Sequence, residues 1–270
     1  MLKTTKTNKQ LPADLPVGQN PNLFGLIRHP ALFAFLDTNA TDLMSAQGDQ
    51  LISVRDRKAG YPEKKSWGLV DSSRKPTLVP GLKGRQGIQC DPGNQDGLLG
   101  PEGVYLPDDW TLSLVLQPTY IAATSAIFTT HPEGLATGIA LTSANALRAY
   151  INGNVSVLGD FVTAGLQPAV GSTQVYTVSY HSADGSLAGY VNGVKIGDTL
   201  TGLPVNSGNQ RFRISGRDTE SSDFSGIFEG IFHHAVVFNA AAHVDGTIMP
   251  TLLEAMAAEF PNPDGLDITL

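Results

Sequence analysis

Residues Thr173 to Asp198 read TQVYTVSYHSADGSLAGYVNGVKIGD and combine strand and turn signals in one segment. β-Branched and aromatic residues are dense from Val175 to Tyr180, which is typical of a strand. Polar residues at 182–186 interrupt the pattern. It resumes at Leu187 and turns again at Asn192-Gly193, a pair that tolerates positive φ. The segment therefore predicts three successive antiparallel strands.

Strand patterns of the same kind lie on both sides of this segment. The strongest is Asp109–Leu116, which Pro118 is expected to end. Further strands are predicted at 31–36, 51–56, 87–91, 125–129, 138–141, 146–151, 155–158, 211–216 and 226–238. Apolar residues recur at helical spacing from Met249 to Phe260 and predict one amphipathic helix over Pro250–Glu259. The fold class is therefore predicted to be all-β, with a short C-terminal helix.

The composition agrees with an all-β chain. The 270 residues include 29 Gly and 17 Pro and only 16% are charged, which suits a turn-rich sandwich better than a helical protein. The formal net charge of −7 argues against nucleic acid as a partner, because such binding depends on Lys and Arg at the phosphates. Cys90 is the single cysteine, so no intrachain disulfide can form, and we expect it to be a small buried hydrophobe.

Three segments are predicted from the distribution of apolar residues. Residues 1–22 are polar and punctuated by proline, and they form an extended N-terminal arm that is either disordered or docks on a partner. Residues 23–260 hold the sandwich domain, in which 57–80 is interpreted as one long polar loop, and residues 261–270 form a tail. The early lysines lack an apolar run behind them, so we expect no signal peptide, and no stretch reaches membrane-spanning length.

Six segments resemble, in this order, the motifs of concanavalin A-like, laminin-G-like jelly roll domains found in bacteriophage virion and tail-associated proteins. They include the R-P-x-L loop and the N-G strand end of that family, and they are Val54–Arg57, Arg74–Leu78, Gly87–Leu98, Trp110–Pro118, Gly189–Gly193 and Phe228–Asn239. The chain departs from the family pattern where Val54 replaces a tryptophan, Cys90 a phenylalanine and His234 a glutamate. The resemblance covers residues 31–260 and implies that the fold is a two-sheet antiparallel jelly roll sandwich.

The same resemblance implies a non-enzymatic structural or adhesion protein of a phage head or tail. Such a protein is made in the host cytoplasm and is located in the virion. Its partners would be other virion proteins, bound through the N-terminal arm, and a host cell-surface glycan, with no nucleic acid and no membrane insertion. A homo-oligomer is expected. Two alternatives stay open: a free carbohydrate-binding module or lectin, and a polysaccharide-cleaving enzyme on the same fold.

Enzymatic hydrolysis of a glycan would need a specific pair of acidic residues. A retaining glycosidase places two carboxylates about 5 to 5.5 Å apart at the scissile bond. The sequence has no Glu-x-Asp-x-x-Glu run that would align them along one strand, and Asp218-Thr219-Glu220 is the nearest approach. No catalytic residue is assigned, and the chain is predicted not to be an enzyme.

Sugar binding needs a flat aromatic face with polar side chains beside it. Trp67 is the candidate aromatic residue and Arg217 the candidate polar partner, although Trp67 could equally close one end of the sandwich. Asp218, Glu220 and Asp223 offer hard oxygen ligands for calcium, the one cofactor considered. The alternative for these three is a solvated acidic turn.

A pair of neighbouring histidines, His233 and His234, falls in the last predicted strand. Adjacent residues of a strand point to opposite faces, so the two are not expected to share a metal ion. We predict that one is packed and the other exposed.

Overall fold

The computed structural model describes residues 21–38, 43–58, 66–69, 72–73, 75–81, 86–91, 97–101, 104–121, 124–131, 137–160, 162–205, 211–215 and 226–259. These residues form eighteen strands and two helices, numbered in chain order. The strands build two packed layers, which we name the back sheet and the front sheet.

The back sheet consists of six antiparallel strands. In spatial order they are β1 (Leu32–Asp37), β18 (Glu229–Phe238), β8 (Trp110–Tyr120), β13 (Gln174–His181), β14 (Ser186–Val191) and β15 (Val194–Leu200). The three strands predicted between Thr173 and Asp198 are β13, β14 and β15. That prediction is confirmed.

The front sheet consists of nine strands. In spatial order they are β12 (Asn154–Asp160), β11 (Ala146–Ile151), β10 (Gly138–Thr142), β9 (Thr124–His131), β16 (Arg211–Ser215), β7 (Gly97–Leu99), β4 (Ser66–Leu69), β3 (Gln50–Arg55) and β2 (Met44–Gln47). The strands predicted from residue 125 to residue 158 are confirmed within one residue at their ends, except that β9 continues two residues further, to His131, and β12 two residues further, to Asp160.

Two further strands join the layers along one side. β5 (Thr77–Pro80) pairs with β3, and β6 (Gln86–Cys90) pairs with both β5 and β18. β17 (Gly226–Ile227) adds a short parallel pair beside β9, while the other pairings among the described strands are antiparallel. The predicted two-sheet antiparallel jelly roll is confirmed.

The core fills the space between the layers because alternate residues of each strand point inward. Leu112 and Leu114 of β8 are fully buried there. Trp110 stacks on Tyr180 with ring centroids 5.9 Å apart. Cys90 is 2% exposed and belongs to the same cluster, which confirms its prediction as a small buried hydrophobe.

Two helices cover the outer face of the back sheet. α1 (Pro21–Ile27) and α2 (Ile248–Glu259) contribute Leu26 and Leu252 to a second apolar cluster, which includes Val115 on the outward side of β8. Leaving an outward valine of this kind exposed would forgo about 1.5 to 3 kcal/mol of burial. The predicted C-terminal helix is confirmed and begins two residues earlier than expected. No helix among the described residues is long and apolar enough to cross a membrane.

Two Asn-Gly pairs form the tight hairpin turns. Asn152 and Gly153 have φ of 50° and 79°, and Asn192 and Gly193 have φ of 51° and 86°. Positive φ at both central positions is the turn geometry that matches the twist of adjacent strands. The Asn192 side-chain oxygen also accepts a hydrogen bond of 2.8 Å from the backbone N–H of Val175.

Two predictions, one of a loop and one of a strand end, are wrong. Residues 57–80 are not one loop, because β4 and β5 occupy parts of that segment and Trp67 and other apolar residues there pack on the core. Pro118 does not end β8, which continues to Tyr120. The proline lies opposite Gly230 beside a register irregularity in the pairing of β8 with β18, where the missing N–H of a proline is tolerated.

The predicted terminal segments fall mostly outside the described part of the chain. Residues 21 and 22 of the expected extended arm already belong to α1, so the arm as predicted is two residues too long. Residues 1–20 and the tail 261–270 lie outside the described residues.

Candidate functional site

The outer face of the front sheet is the surface that we consider as a candidate for ligand binding. The back sheet carries α1 and α2 on its outer side, whereas no described helix covers the outer side of the front sheet. We name this surface the open face. Its members are the strand residues that alternate with the inward, core-forming ones.

The strand registers place the open-face residues in rows across the sheet. One row contains Arg55, Ser66, Tyr105 and Arg211. The adjacent row runs through Ser53, Gly68, Leu99, Arg213, Thr129, Gly138, Tyr150 and Val155. The middle of this row, from Arg213 to Tyr150, is buried, so the face is accessible toward its two edges. A Cβ added at Gly68 would meet nothing within 4 Å, so space lies above the sheet there.

Tyr105 and Arg211 are the clearest candidate pair for ligand binding on the open face. The two lie opposite each other in an isolated antiparallel bridge. Val104 and Leu106 are buried in the core, so Tyr105 between them points outward, and 39% of it is exposed. The Nε–H of Arg211 donates a hydrogen bond of 2.6 Å to the carbonyl oxygen of Gly100, which fixes the half-buried guanidinium.

This pair meets the requirement for recognising a sugar. An exposed aromatic ring offers an apolar face for the CH groups of a sugar, and an adjacent guanidinium offers several donors for its oxygens. Sequence reasoning missed both residues. The alternation of apolar Val104, Tyr105 and Leu106 could have indicated an outward tyrosine, but its position beside Arg211 depends on a contact between distant segments.

Trp67, the aromatic residue chosen from the sequence, is not on a surface. It is fully buried, and it stacks on Phe212 with ring centroids 5.9 Å apart. Its indole N–H donates a hydrogen bond of 3.1 Å to Asp56. The prediction that Trp67 binds a ligand is corrected, because neither face of the indole can reach a sugar. The alternative role in the sandwich interior agrees with the structure.

The other predicted site residues cannot be placed. Arg217, Asp218, Glu220 and Asp223 lie outside the described residues, so both the ligand contact and the calcium site stay predictions. Within the described ranges, no group of three His, Cys, Asp or Glu side chains is arranged to hold a metal ion.

Both histidines of the neighbouring pair are buried, which corrects the prediction that one is exposed. A register irregularity between Phe232 and His234 disturbs the regular alternation of β18. Gly81 and Gly87 make room for the His233 ring, since a Cβ at either position would clash with it or with its neighbour Ile231. Close packing of these glycines therefore covers the side that was expected to face solvent.

A buried group of charged residues lies around His234. Its Nδ1 is 3.4 Å from Oδ1 of Asp37, and the guanidinium of Arg57 contacts Oδ2 of the same carboxylate. Glu259 at the end of α2 is 3% exposed and interacts electrostatically with Arg57. Because these residues come from β1, β18, the end of β3 and α2, the group connects the helix to the sandwich.

His243 holds the segment after β18 against the hairpin of β13 and β14. Its Nδ1 and Nε2 each form a hydrogen bond of 2.7 Å, to the hydroxyls of Ser179 and Ser186. Burial and then the nearby His181 lower the pKa of His243 below 6.5, which favours a neutral ring that donates one bond and accepts the other. The two hydroxyls are buried, so this Ser–His contact has a structural role and not that of a nucleophile and base.

The geometry defines a jelly roll with one helix-covered face and one open face that carries an exposed aromatic–arginine pair. A family model described as the concanavalin A-like lectin/glucanases superfamily matches residues 92–244, which is more than half of the chain. The chain therefore belongs to this superfamily.

Several solved structures share the fold. Domain 4 of AbnA, an extracellular arabinanase from Geobacillus stearothermophilus solved in complex with arabinotriose, has a TM-score of 0.55 and 15% identity, over 83% of this chain and 97% of that domain. The receptor binding domain of botulinum neurotoxin D has a TM-score of 0.55 and 9% identity, over 82% of this chain and 52% of that one. At these identities the similarity establishes the fold alone.

A larger enzyme also contains a domain of this shape. Trypanosoma rangeli sialidase in complex with the inhibitor DANA has a TM-score of 0.51 and 15% identity, over 84% of this chain. This chain spans only 33% of the length of that sialidase. No curated protein sequence matches the chain.

Proposed function

We propose that this chain is a non-enzymatic, virion-associated protein of a bacteriophage head or tail, and that its lectin-like jelly roll binds a glycan of the host surface. The order of sequence motifs that resemble phage proteins supports the virion role. The open face supports glycan binding. The alternatives of a free carbohydrate-binding module and of a polysaccharide-cleaving enzyme are separated from it by the experiments below.

The observation that carries the glycan-binding part is the Tyr105–Arg211 pair. An exposed tyrosine beside a fixed guanidinium combines the aromatic contact and the placed polar group that ligand sites use. A domain of this fold can bind an oligosaccharide, because domain 4 of AbnA was solved in complex with arabinotriose. Calcium at Asp218, Glu220 and Asp223 is an optional part of this proposal.

The absence of paired carboxylates on the described part of the open face supports a binding role without hydrolysis. Among the outward residues of the described front-sheet strands, the one acidic side chain is Asp160, at the end of β12. Its Oδ1 accepts a hydrogen bond of 2.8 Å from the N–H of Thr163, so it belongs to a turn. A glycosidase would need a second carboxylate within reach of the first.

Glycan binding is tested with the purified full chain on a glycan array, with and without Ca²⁺. We expect Tyr105→Ala to lower the binding affinity at least about tenfold, because removing a central aromatic contact typically weakens binding by about this factor. Tyr120→Ala is the matched control, since Tyr120 is 58% exposed but lies at the end of β8 in the back sheet. Equal losses for the two variants, or no glycan bound by the wild-type chain, would contradict the proposal.

The virion role is tested separately by particle association. We propose that residues 1–22 tether the chain to other virion proteins and that the displayed domain forms a homo-oligomer. Deletion of residues 1–20, which leaves α1 whole, should abolish copurification with particles and leave glycan binding intact. If the full-length and shortened chains associate identically, the tether is wrong. Release of reducing sugar from a bound polysaccharide would favour the enzyme alternative instead.

A further inference from the structure

We infer that β2 pairs with β2 of a second copy of this chain, so that the front sheets of the two copies join into one continuous sheet. This inference names the interface of the proposed homo-oligomer, and its consequence for glycan binding rests on the proposed function. The pairing itself is supported by the way the edges of the two sheets are covered and by the backbone of Met44–Gln47.

Three of the four edge strands are already covered. The back sheet ends at β1 and β15, and the front sheet ends at β12 and β2. At β1, the N–H of Phe35 donates to the carboxylate of Asp56, and the carbonyl oxygen of Phe35 accepts a hydrogen bond of 2.8 Å from the N–H of Arg57. β12 and β15 pack on each other so closely that a Cβ at Gly197 would clash with the carbonyl oxygen of Leu158. Of the two described sheets, β2 is the edge that remains.

The hairpin of β2 and β3 shows which backbone groups of β2 face outward. Gln47 and Gln50 flank a two-residue turn, and such a closing pair exchanges both of its hydrogen bonds. The next pair, Ala46 and Leu51, therefore directs its N–H and C=O groups away from the hairpin. In agreement, the N–H of Leu51 donates a hydrogen bond of 2.9 Å on the opposite side, to the segment that leads into β5. Because successive residues of a strand alternate, Met44 faces outward as Ala46 does.

The outward groups of β2 are available for another strand. Within the described part of the chain, no residue forms a hydrogen bond with the outward N–H and C=O groups of Met44 and Ala46. Ser45, Ala46 and Gln47 are exposed. A sheet edge of this kind is a template on which a further strand can pair. We name this outward side of Met44–Gln47 the free edge.

The free edge is complementary to a second copy of itself. In a twofold-symmetric antiparallel pair centred on Ser45, Met44 of each copy lies opposite Ala46 of the other, and the two pairs make four backbone hydrogen bonds. A pair centred on Met44 or on Ala46 would make only two within β2. No residue of β2 is charged, so the symmetric pair brings no like charges together. By contrast, β15 carries the exposed Lys195 and Asp198, and charges of this kind discourage edge pairing.

The paired sheet places both open faces on the same side. Ser45 lies opposite Ser53 of the open face, and residues opposite each other across a strand pair point to the same side of the sheet. Four strand steps separate β2 from β16. Nine steps then separate Arg211 of the two copies, which is about 43 Å at about 4.8 Å per step. Two Tyr105–Arg211 pairs on one surface would engage neighbouring glycans together, and this raises the avidity.

The interface is small, because one short strand from each copy forms it. For the isolated chain we expect a weak dimer with a Kd between about 0.1 and about 1 mM, since small interfaces are transient. Copies that are held side by side on one particle reach effective concentrations in the millimolar range, and there the pairs would form.

A disulfide between two copies tests the register. Ser45 of one copy would lie directly opposite Ser45 of the other, within reach of a disulfide, whereas the two Gln47 residues would be about 14 Å apart. Both positions are exposed, so Gln47→Cys is the matched control for Ser45→Cys. Under mild oxidation we expect Ser45→Cys to form a covalent dimer at least about tenfold faster than Gln47→Cys, as read on non-reducing gels. The native Cys90 is buried, and the wild type gives the background.

A proline variant tests the backbone hydrogen bonds. Ala46→Pro removes an outward N–H and leaves the bonds between β2 and β3 in place. Sedimentation velocity of the full chain between about 0.01 and about 1 mM should show a concentration-dependent dimer for the wild type and none for Ala46→Pro. Ala46→Val keeps the N–H and is the control that should dimerise like the wild type. The urea midpoint of each variant shows that the fold is retained.

The glycan array tests the consequence for avidity. On densely printed spots Ala46→Pro should bind at least about tenfold more weakly than Ala46→Val, and on sparse spots the two should bind equally.

The outcomes separate the interface from the proposed function, because dimerisation is measured without glycan. Equal cross-linking of the two cysteine variants, or a wild-type chain that stays monomeric at about 1 mM, would overturn the inference and leave glycan binding untouched. A dimer that persists in Ala46→Pro would place the contact on another surface and overturn it as well. If the dimer forms as expected but no glycan is bound, the interface stands and the proposed function fails.

Discussion

The indole Nε1–H of Trp67 donates a hydrogen bond of 3.1 Å to Oδ2 of Asp56. The same carboxylate accepts hydrogen bonds from the backbone N–H groups of Phe35 and Lys58, at distances from 2.9 to 3.2 Å. One acidic side chain therefore joins the end of β3 to β4 and to β1. Because the carboxylate is largely shielded from water, these bonds determine how it titrates.

The first prediction concerns the pH dependence of stability. Burial raises the pKa of Asp56 from 3.8 to about 6, although its hydrogen bonds act in the opposite direction. The folded chain then binds a proton more readily than the unfolded one, so this group's contribution is present below about pH 4 and is lost as the pH rises through about 6. The size of this loss is about 3 kcal/mol in the free energy of unfolding.

Urea unfolding of the wild type and Asp56→Asn, from pH 4 to pH 7.5, measures this contribution. The amide does not titrate, so the difference between the two proteins should change by a few kcal/mol across the window, to the disadvantage of the wild type at higher pH. A difference that is independent of pH would mean that Asp56 keeps its ordinary pKa.

The second prediction concerns the donor on Trp67. Trp67→Phe keeps an aromatic ring against Phe212 but removes the N–H, so we expect a loss of about 1 to 3 kcal/mol and a further rise in the pKa of Asp56. Trp110→Phe is the control, because the Trp110 indole nitrogen has no hydrogen-bond partner in the described part of the chain. It should leave the pH profile unchanged. An identical profile in both variants would argue against the role assigned to the hydrogen bond.

The third prediction concerns the contact between β12, at one edge of the front sheet, and β15, at one edge of the back sheet. Gly197 has a φ of 62°, and a Cβ there would clash with the carbonyl oxygen of Leu158. Gly202 has a φ of 73° but open space around it. We expect Gly202→Ala to cost about 1 to 2 kcal/mol from backbone strain alone, and Gly197→Ala to cost about 3 kcal/mol or more. Equal melting temperatures for the two variants would show that the strands can separate without penalty.

The fourth prediction concerns the buried charges beneath α2. Arg57→Met would leave the carboxylates of Asp37 and Glu259 without this cation, and removing one partner of a buried ion pair costs about 3 to 5 kcal/mol. Arg57→Lys keeps the charge and should lose less. Guanidinium chloride unfolding followed by circular dichroism gives both values. If Arg57→Met is as stable as the wild type, the contacts of Arg57 with these carboxylates do not stabilise the fold.

Local patterns were sufficient wherever a strand or turn is built from neighbouring residues. The Asn192-Gly193 turn, the helix at α2 and the buried Cys90 were all predicted, because positive φ, helical spacing and small apolar size are properties of short segments. Trp67 was misplaced for the opposite reason. The polar residues around it indicated a loop, while its burial depends on Asp56 and Phe212 from other strands.

The alternation of apolar side chains was enough to predict antiparallel strands with two faces, because it leaves one side of each strand to be buried. The three-dimensional fold was needed to show which outer face carries the helices, since that depends on where α1 and α2 pack. It also decided that Tyr105 lies beside Arg211, because residues more than a hundred positions apart become neighbours only through strand pairing. A binding surface made in this way has no continuous motif in the chain.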